Sequence, residues 1–293
     1  MINTHFRSLG LYGYKAYIAN EAFAKALLRS TRWPDGITCA KCSGKKVWRI
    51  GGDYQCSSCR AHFSDTSGTI FSKSHLTISQ WIIAIGLVKI GVNAVGLEWA
   101  LGCQYKSARR ALILIRAAVA QDPILQQLQG EIEVDETYYG GRRKGKRGRG
   151  AAGKTIVLGF KRRKSKDGKS MVKTVVIPNV KEETLTRAIN CYVKPGSTVY
   201  TDGLSSYDLD DRYQHLPFDH SINFIKSPVI HTQGIEGHWG HTKPITKSRY
   251  RKLTKKNLPG ICAENDFKTN HRKNPDFIKL TLETLLQFHP LNT

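Results

Sequence analysis

The sequence has few acidic residues and no apolar run long enough to cross a bilayer. Asp and Glu number 23 against 46 Lys and Arg, so the 293-residue chain carries a formal charge of +23. The most apolar stretch, residues 81–97, is interrupted by Lys89 and Asn93 and is shorter than the roughly 20 residues of a membrane helix. We therefore expect no membrane association and a polyanionic partner. Nucleic acid is favoured over an anionic membrane surface, because neither an amphipathic basic helix nor a lipid anchor is present.

The chain also lacks the pattern of a secreted protein. Its first residues have no charged segment followed by an apolar segment and a cleavage site, so a cytoplasmic location is expected. Only seven cysteines occur, and three of them, Cys103, Cys191 and Cys262, stand singly. This distribution is not that of a disulfide framework and indicates a metal site with three incidental or buried thiols.

The other four cysteines form two Cys-x-x-Cys pairs. Cys39 and Cys42 are separated from Cys56 and Cys59 by thirteen residues, a spacing that can close a tetrahedral thiolate site. Zinc is the ion expected, because four thiolates leave no open position for catalysis. The alternative, four unmetallated buried thiols, fits the paired spacing and the polar surroundings poorly.

Helical patterns flank the cysteine module. A short helical run is expected around residues 22–28, and the stretch from Thr77 or Ser79 to Gly91 has apolar residues at helical spacing. Two further helices are predicted around a turn at Gly102. The second has a stripe comprising Ala108, Ala111, Leu112, Ile115 and Val119, with Arg109, Arg110 and Arg116 off it. The pair fits a DNA-binding helix-turn-helix and fits an ordinary helical hairpin equally well.

From Glu131 onward the pattern changes to strands. Residues 131–141, 154–164 and 170–179 predict three strands, a helix follows at about residues 182–192, and residues 197–203 predict a fourth strand. A short strand near residues 221–226 and a helix over residues 231–243 complete the prediction. This order indicates a mixed α/β sheet with polar residues at strand ends.

A glycine-rich basic loop follows the first of these strands. Residues 137–166 contain twelve Lys or Arg and no Asp or Glu. Flexible guanidinium groups bind phosphates with strong salt dependence, so we expect DNA contacts, although a solvated loop is the usual fate of a charge run. The residues assigned to DNA are Arg142, Arg143, Lys144, Lys146, Arg147 and Arg149.

Three carboxylates are candidates for a second metal site. Asp135 and Asp202 each end an apolar strand, and Glu236 is the single acidic residue between His220 and Ala263. Oxygen ligands of this kind hold Mg²⁺, and two ions about 4 Å apart would stabilise an in-line phosphoryl transfer. Aspartates at strand ends are also common in turns. Glu131, Glu133 and Glu136 are equally available near Asp135 but are interpreted as a solvated face.

These motifs resemble a known family. "EVDETYYGG", "VYTDGLSSY" and "HTQGIEGHW", preceded by "CAKC", "CSSC" and "GTIFSKSHLTISQW", are similar to insertion-sequence transposases with an N-terminal zinc ribbon and an RNase H-like (ISXO-type) DDE domain. The match runs from about residue 32 to residue 274.

The resemblance implies a catalytic triad and a reaction. Asp135, Asp202 and Glu236 would bind Mg²⁺ or Mn²⁺, and Lys243 would contact DNA near the active site. The implied enzyme cuts double-stranded DNA at the element's ends and joins the freed 3′ hydroxyl to target DNA. It would act beside the bacterial nucleoid, as a homo-oligomer when it pairs two ends. A zinc site built from His231, His238 and His241 is the less favoured interpretation of the last motif.

The domain limits and two alternative functions complete the predictions. The limits are a helical segment at 1–35, the zinc ribbon at 36–72, a helical DNA-binding region at 73–126, the catalytic domain at 127–280 and a tail at 281–293. One alternative is a catalytically impaired DNA-binding protein, since Gly234, Gly237 and Gly240 each weaken a helix around Glu236 by roughly 1 kcal/mol. The other is an RNase H-like nuclease.

Overall fold

The computed structural model describes residues 14–122, 127–140, 154–164, 168–202, 206–207, 209–218, 231–250 and 253–288. The described residues fall into two compact units. The first contains the chain up to Gln121 together with the residues from Arg272 onward, and the second runs from Asp122 to His271. The domain limits given above remain predictions. Among the residues that the structure describes, no helix has the length and apolar character of a membrane span.

A three-stranded antiparallel sheet in the first unit carries the cysteine pairs. Its strands are β1 (Val47–Ile50), β2 (Asp53–Cys56) and β3 (His62–Phe63), in the order β1-β2-β3. Tyr54 and Phe63 are buried on one face of this sheet, and Trp33 packs edge-on against Tyr54 at a ring-centroid distance of 5.9 Å. Aromatic packing and the cysteine site together replace the large core that so small a sheet lacks.

The described residues of the first unit also form six helices. They are α1 (Lys15–Ala19), α2 (Glu21–Arg32), α3 (Ile78–Ile90), α4 (Ala94–Leu101), α5 (Tyr105–Val119) and, from the end of the chain, α9 (Phe277–Gln287). Thr77 and Gln80 form a capping box at the start of α3, and Gly91 ends it with a φ of 88°. Gly102 ends α4 with a φ of 57°. Both helix stops lie where the sequence predicts them.

The buried stripe of α5 is confirmed, with one correction. Ala108, Ala111, Leu112, Ile115 and Val119 are all buried, but so is Arg116, which was expected to lie off the stripe. Arg116 is four residues after Leu112 and three before Val119, so helical spacing places it on the stripe. Although Arg116 is charged, its place in the helical repeat puts it on the buried side of α5.

The second unit is a five-stranded mixed sheet flanked by helices, as the RNase H-like resemblance implies. Its elements are β4 (Glu131–Tyr139), β5 (Thr155–Arg162), β6 (Met171–Ile177), α6 (Glu182–Tyr192), β7 (Thr198–Asp202), β8 (Gln214–Phe218), α7 (Gln233–Arg249) and α8 (Leu258–Asn270). The strand order is β6-β5-β4-β7-β8. The first three strands are antiparallel, whereas β7 is parallel to both β4 and β8.

Strand β4 is central, and its residues alternate between two cores. Ile132 and Val134 face one core together with residues of α6, whereas Tyr139 joins Ile235 and Trp239 of α7 on the other face. Helices cover both faces of the strand, so three of its polar residues, Glu133, Glu136 and Thr137, are also buried.

Some elements were not predicted. Strand β8 and helices α8 and α9 are additions, and residues 281–287 of the predicted tail lie in α9. The strand predicted near residues 221–226 lies outside the described residues.

Candidate active site

The four paired cysteines meet at one point in the first unit. Their sulfur atoms all lie within 4.8 Å of one another, and the Cys39–Cys59 and Cys42–Cys56 distances between sulfurs are both 3.6 Å. Each pair closes a tight turn that ends in a left-handed residue, Ser43 (φ 59°) or Arg60 (φ 57°). The three single cysteines lie outside this cluster.

The donor set fits zinc. The backbone N–H of Cys59 stabilises the Cys56 thiolate and, with further hydrogen bonds from Ser58 and the neighbouring thiols, lowers the Cys56 pKa to about 6 despite burial. Thiolates are the metal-binding form of cysteine, and four of them in a tetrahedral arrangement are typical of structural Zn²⁺. Such a closed site serves folding and leaves no position for a substrate.

Three carboxylates meet in the second unit, where β4 and β7 separate. Oxygen atoms of Asp135, Glu136 and Asp202 all lie within 4.8 Å of one another. The parallel pairing of β4 and β7 ends at Glu133 and Tyr200, and Asp135 and Asp202 each follow two residues later on the same face. The structure thus brings together two of the three residues assigned to the triad, with Glu136 beside them.

The solvated-face interpretation of Glu133 and Glu136 is wrong. Their side chains are buried, with residue exposures of 2% and 9%, and the Tyr207 hydroxyl donates a 3.2 Å hydrogen bond to Glu136. Because β4 is the central strand, helices cover Glu133 and Glu136 from the two faces of the sheet. Glu131, at the start of the strand, is exposed and accepts a 3.0 Å hydrogen bond from Tyr200.

Glu236 lies on the first turn of α7, outside the three-carboxylate cluster. Its side chain is exposed, and the Thr232 hydroxyl donates a 2.7 Å hydrogen bond to Oε1. Glu236 is still near enough to contribute to the raised pKa of Asp135. The helix predicted over this motif is confirmed, and it continues through Pro244.

Asp135 has a strongly raised pKa. Burial raises its pKa to about 7, the charges of Glu136 and Asp202 act in the same direction, and a 3.0 Å hydrogen bond from Trp239 Nε1 opposes them. A carboxyl group whose pKa lies near 7, with other carboxylates around it, can lose its proton when a cation binds.

The indole of Trp239 reaches Asp135 because the facing residue is glycine. Gly159 of β5 pairs with Asp135 in the sheet, and a Cβ atom at position 159 would lie 2.4 Å from Trp239 Cζ2. No larger residue could occupy position 159 without moving the indole.

Lys243 lies two turns after Glu236 on α7. Its Nζ donates a 2.8 Å hydrogen bond to the Thr137 hydroxyl, and burial lowers the Lys243 pKa. The six loop residues assigned to DNA, Arg142, Arg143, Lys144, Lys146, Arg147 and Arg149, lie outside the described residues.

The histidine interpretation of the α7 motif is wrong. His238 is buried with its Nε2 atom 3.7 Å from Asp266, and burial lowers its pKa to about 4. His231 contacts Arg163, and His241 is exposed. In the part of the chain that is described, no histidine joins a cluster that could hold a metal ion.

Sequence reasoning missed Gly159 and Trp239 and assigned Glu133 and Glu136 to a solvated face. Four residues lie around Asp135: Glu133, Glu136, Gly159 and Trp239. Residue spacing could have pointed to two of them, Glu133 and Trp239. Glu133 and Asp135 are two positions apart on a strand, so they share a face, and Trp239 is one helical turn after Ile235.

Comparisons with known proteins give consistent matches over both units. Residues 127–270 match the ISXO2-like transposase domain, and residues 19–62 match the transposase zinc-ribbon domain. The chain is 27% identical over 235 residues to an uncharacterized protein in transposable element ISH50 of Halobacterium salinarum, covering 73% of this chain and 76% of that protein. It is 42% identical over 77 residues to an uncharacterized transposase-like protein of Haemophilus influenzae, covering 26% of this chain and 62% of that protein.

Proposed function

Because the chain belongs to the ISXO2-like transposases with an N-terminal transposase zinc ribbon, we propose that it cuts DNA at the ends of an insertion sequence and joins them to target DNA. The meeting of Asp135, Glu136 and Asp202 beside α7 carries this proposal. Three carboxylates with oxygens this close together could hold a divalent cation, and the +23 charge of the chain favours a DNA substrate.

Asp135 and Asp202 are the proposed ligands of a divalent ion, with Glu236 approaching from α7. Carboxylate oxygens suit Mg²⁺ and Mn²⁺, and the raised pKa of Asp135 means that its proton must leave before a cation is held. Divalent ions at such a site stabilise the attacking and leaving oxygens of a phosphoryl transfer. The Trp239 hydrogen bond orients Asp135 for this role.

The reaction proceeds in two displacements. In the first, a water oxygen bonds to the phosphorus at the element's end, the P–O3′ bond breaks and a 3′ hydroxyl is released. In the second, that hydroxyl oxygen bonds to a phosphorus of the target strand and displaces another 3′ oxygen. Lys243 lies on the same helix as Glu236 and would bind a DNA phosphate beside the reacting bond.

The zinc ribbon and helices α3 to α5 are proposed to bind the element's ends, and pairing of two ends would bring two copies of the chain together. The test uses the purified protein, duplex DNA carrying the terminal sequences of its element, and Mg²⁺ or Mn²⁺. We expect specific nicks at the ends with the parent chain and none with Asp135→Asn or Asp202→Asn. Cleavage by Asp135→Asn at the parent rate would refute the assignment, and cleavage without regard to end sequences would indicate a general nuclease.

A second candidate function is DNA binding without cleavage. The exposed position of Glu236 outside the carboxylate cluster, on a helix that contains Pro244, favours it. Salt-sensitive binding to the ends with no cleavage under either cation would support this candidate. Robust strand transfer would eliminate it.

A further inference from the structure

Helix α7 is held against strand β4 by three polar contacts in matching order. Ile235 N donates to Glu133 Oε2 at 2.9 Å, Trp239 Nε1 to Asp135 Oδ2 at 3.0 Å and Lys243 Nζ to Thr137 Oγ1 at 2.8 Å. Two residues of a strand advance by about 6.8 Å and four residues of a helix by about 6 Å. Contacts two residues apart on β4 and four residues apart on α7 are therefore similarly spaced along the two elements. We call this set the α7–β4 ladder.

The first contact of the ladder involves a buried carboxylate that the proposed chemistry does not use. Glu133 is 2% exposed, and both of its oxygens are occupied. Oε2 accepts from the Ile235 amide, and Oε1 accepts a 2.9 Å hydrogen bond from Arg163 Nε. With both oxygens engaged by protein groups, Glu133 differs from Asp135 and Glu136, whose oxygens converge on Asp202.

Two basic residues, Lys161 of β5 and Arg163 just after it, hydrogen-bond to the backbone at the start of α7. Arg163 donates to the carbonyl oxygen of His231 at 2.6 Å, and Lys161 donates to that of Gly234 at 2.7 Å. The Arg163 guanidinium also stacks on the Tyr200 ring at 3.9 Å. The start of α7 is therefore fixed from both sides, with the Glu133 carboxylate at the positive end of the helix dipole.

Gly234 is required by this contact. A Cβ atom at position 234 would lie 2.6 Å from Glu133 Oε2, whereas at Gly237 and Gly240 no described atom lies within 4 Å of the corresponding point. The three glycines of the motif are thus not equivalent. Only Gly234 lets the helix approach the buried carboxylate.

We propose that Glu133 is a positioning residue that holds the start of α7 on β4 and thereby sets the distance from which Glu236 approaches Asp135 and Asp202. The inference rests on the proposed function, because Glu236 matters only if it reaches the metal site. Glu236 directly follows the clamped Ile235 amide, so a shift of the helix start moves its carboxylate by the same amount.

The experiment measures Mn²⁺ affinity of the zinc-loaded full chain by electron paramagnetic resonance, for Glu133→Gln in the parent and in a Glu236→Gln background. Gln keeps the size of the side chain and loses its charge. Loss of a group that orients a metal ligand typically costs roughly 10-fold to 100-fold in affinity, and we expect a loss of about 10-fold in the parent. In the Glu236→Gln background we expect no further loss, because the helix then has no ligand to place.

Gly234→Ala and Gly240→Ala form the matched pair. The added methyl group clashes with Glu133 only at position 234, so Gly234→Ala should reduce Mn²⁺ affinity as Glu133→Gln does, while Gly240→Ala should not. Hydrogen exchange of the α7 amides without added Mn²⁺ reports on the clamp itself. We expect faster exchange near Ile235 in Glu133→Gln and no acceleration in Gly240→Ala, whose added alanine favours the helix.

Several results would overturn the proposal. One is an equal loss of affinity from Glu133→Gln in both backgrounds, and another is unchanged α7 exchange in Glu133→Gln. If Glu236→Gln weakens Mn²⁺ binding and Glu133→Gln does not, the positioning role alone fails. If the parent chain binds no Mn²⁺, the proposed function fails together with it.

Discussion

The indole N–H of Trp239 donates a 3.0 Å hydrogen bond to Oδ2 of Asp135, a residue 104 positions earlier in the chain. The contact joins the central strand of the second unit to helix α7. It lies at the middle of the α7–β4 ladder, and it is also the one hydrogen bond that lowers the raised pKa of Asp135. The packing of the helix and the protonation of the carboxylate are therefore linked through one side chain.

Trp239→Phe should shift the pH dependence of cleavage. Phenylalanine fills most of the space beside Gly159 but donates no hydrogen bond, so the Asp135 pKa should rise above its value of about 7. Metal binding needs the ionised carboxylate, so activity rises with pH through this pKa. We expect the rising limb of the pH–rate profile to move to higher pH by about one to two units, since a hydrogen bond to a charged group is worth about 1.5–3 kcal/mol. A profile that keeps its midpoint would contradict the role of Trp239.

Asp135→Asn should stabilise the protein in the absence of added Mg²⁺ or Mn²⁺. An aspartate in the unfolded chain has a pKa of about 3.9, so the folded protein, with a pKa of about 7, binds more protons between these values. The stability contributed by protonated Asp135 is fully present below about pH 4 and is lost as pH rises through about 7. Thermal unfolding should therefore show a higher Tm for Asp135→Asn at pH 8 and a smaller difference at pH 5. A larger Tm difference at pH 5 than at pH 8 would show that the pKa of Asp135 is not raised.

Lys243→Gln should reduce cleavage and weaken the salt dependence of DNA binding. Lys243 is fixed beside the carboxylates by Thr137, so its charge lies where the reacting phosphate is expected. Loss of one phosphate contact lowers the log–log salt slope by about 0.9. Lys247→Gln, one turn further on the exposed side of α7, is the matched control and should leave the cleavage rate nearly unchanged. Equal effects of the two substitutions would argue against a special position for Lys243.

Cys56→Ser should remove zinc and unfold the sheet of the first unit. The Cys56 thiolate is one of four converging sulfurs, and structural sites of this kind contribute folding free energy directly. We expect one zinc per chain in the parent by elemental analysis and far less in the variant. Cys191→Ser removes an exposed thiol outside the cluster and serves as the control. Full zinc content in Cys56→Ser would refute the four-cysteine site.

Gly159→Ala and Gly240→Ala should change stability in opposite directions. A methyl group at position 159 meets Trp239 and Ile235, and overpacking of this kind costs roughly 1–3 kcal/mol. At position 240 the methyl group meets no described atom, and alanine is favoured over glycine within a helix by about 1 kcal/mol. Denaturant unfolding measures both. If Gly159→Ala is as stable as the parent, the indole does not lie over this glycine.

The sequence predicts most of the fold because its periodic patterns are long. Strands β4 to β7 and helices α3, α5, α6 and α7 all occur where the patterns place them. Strand β8 was missed since its five residues, "QHLPF", include a proline and do not alternate between apolar and polar. Glycines at 234, 237 and 240 argued against α7, but packing of Ile235 and Trp239 on the sheet outweighs their low helix propensity.

The site was less predictable than the fold. Asp135 and Asp202 were named as strand-end residues, and Asp202 does end β7, whereas Asp135 lies in the middle of β4, at the point where its pairing with β7 stops. The burial of Glu133 and Glu136 depends on which strand is central, and that depends on pairings distant in sequence. The glycine at position 159 has no local signature. A glycine is needed there because Trp239, 80 positions later in the chain, packs against it in the folded protein.

The α7–β4 ladder also restricts how the length of this segment can vary. One residue inserted between Ile235 and Lys243 would turn every later side chain by about 100° around the helix axis, so Trp239 or Lys243 would leave its partner. A matching insertion in β4 would not compensate, because it would move the strand's side chains to the opposite face. Chains that keep this ladder should therefore keep the spacing from Glu133 to Thr137 and from Ile235 to Lys243 unchanged, while loops outside these two stretches remain free to differ in length.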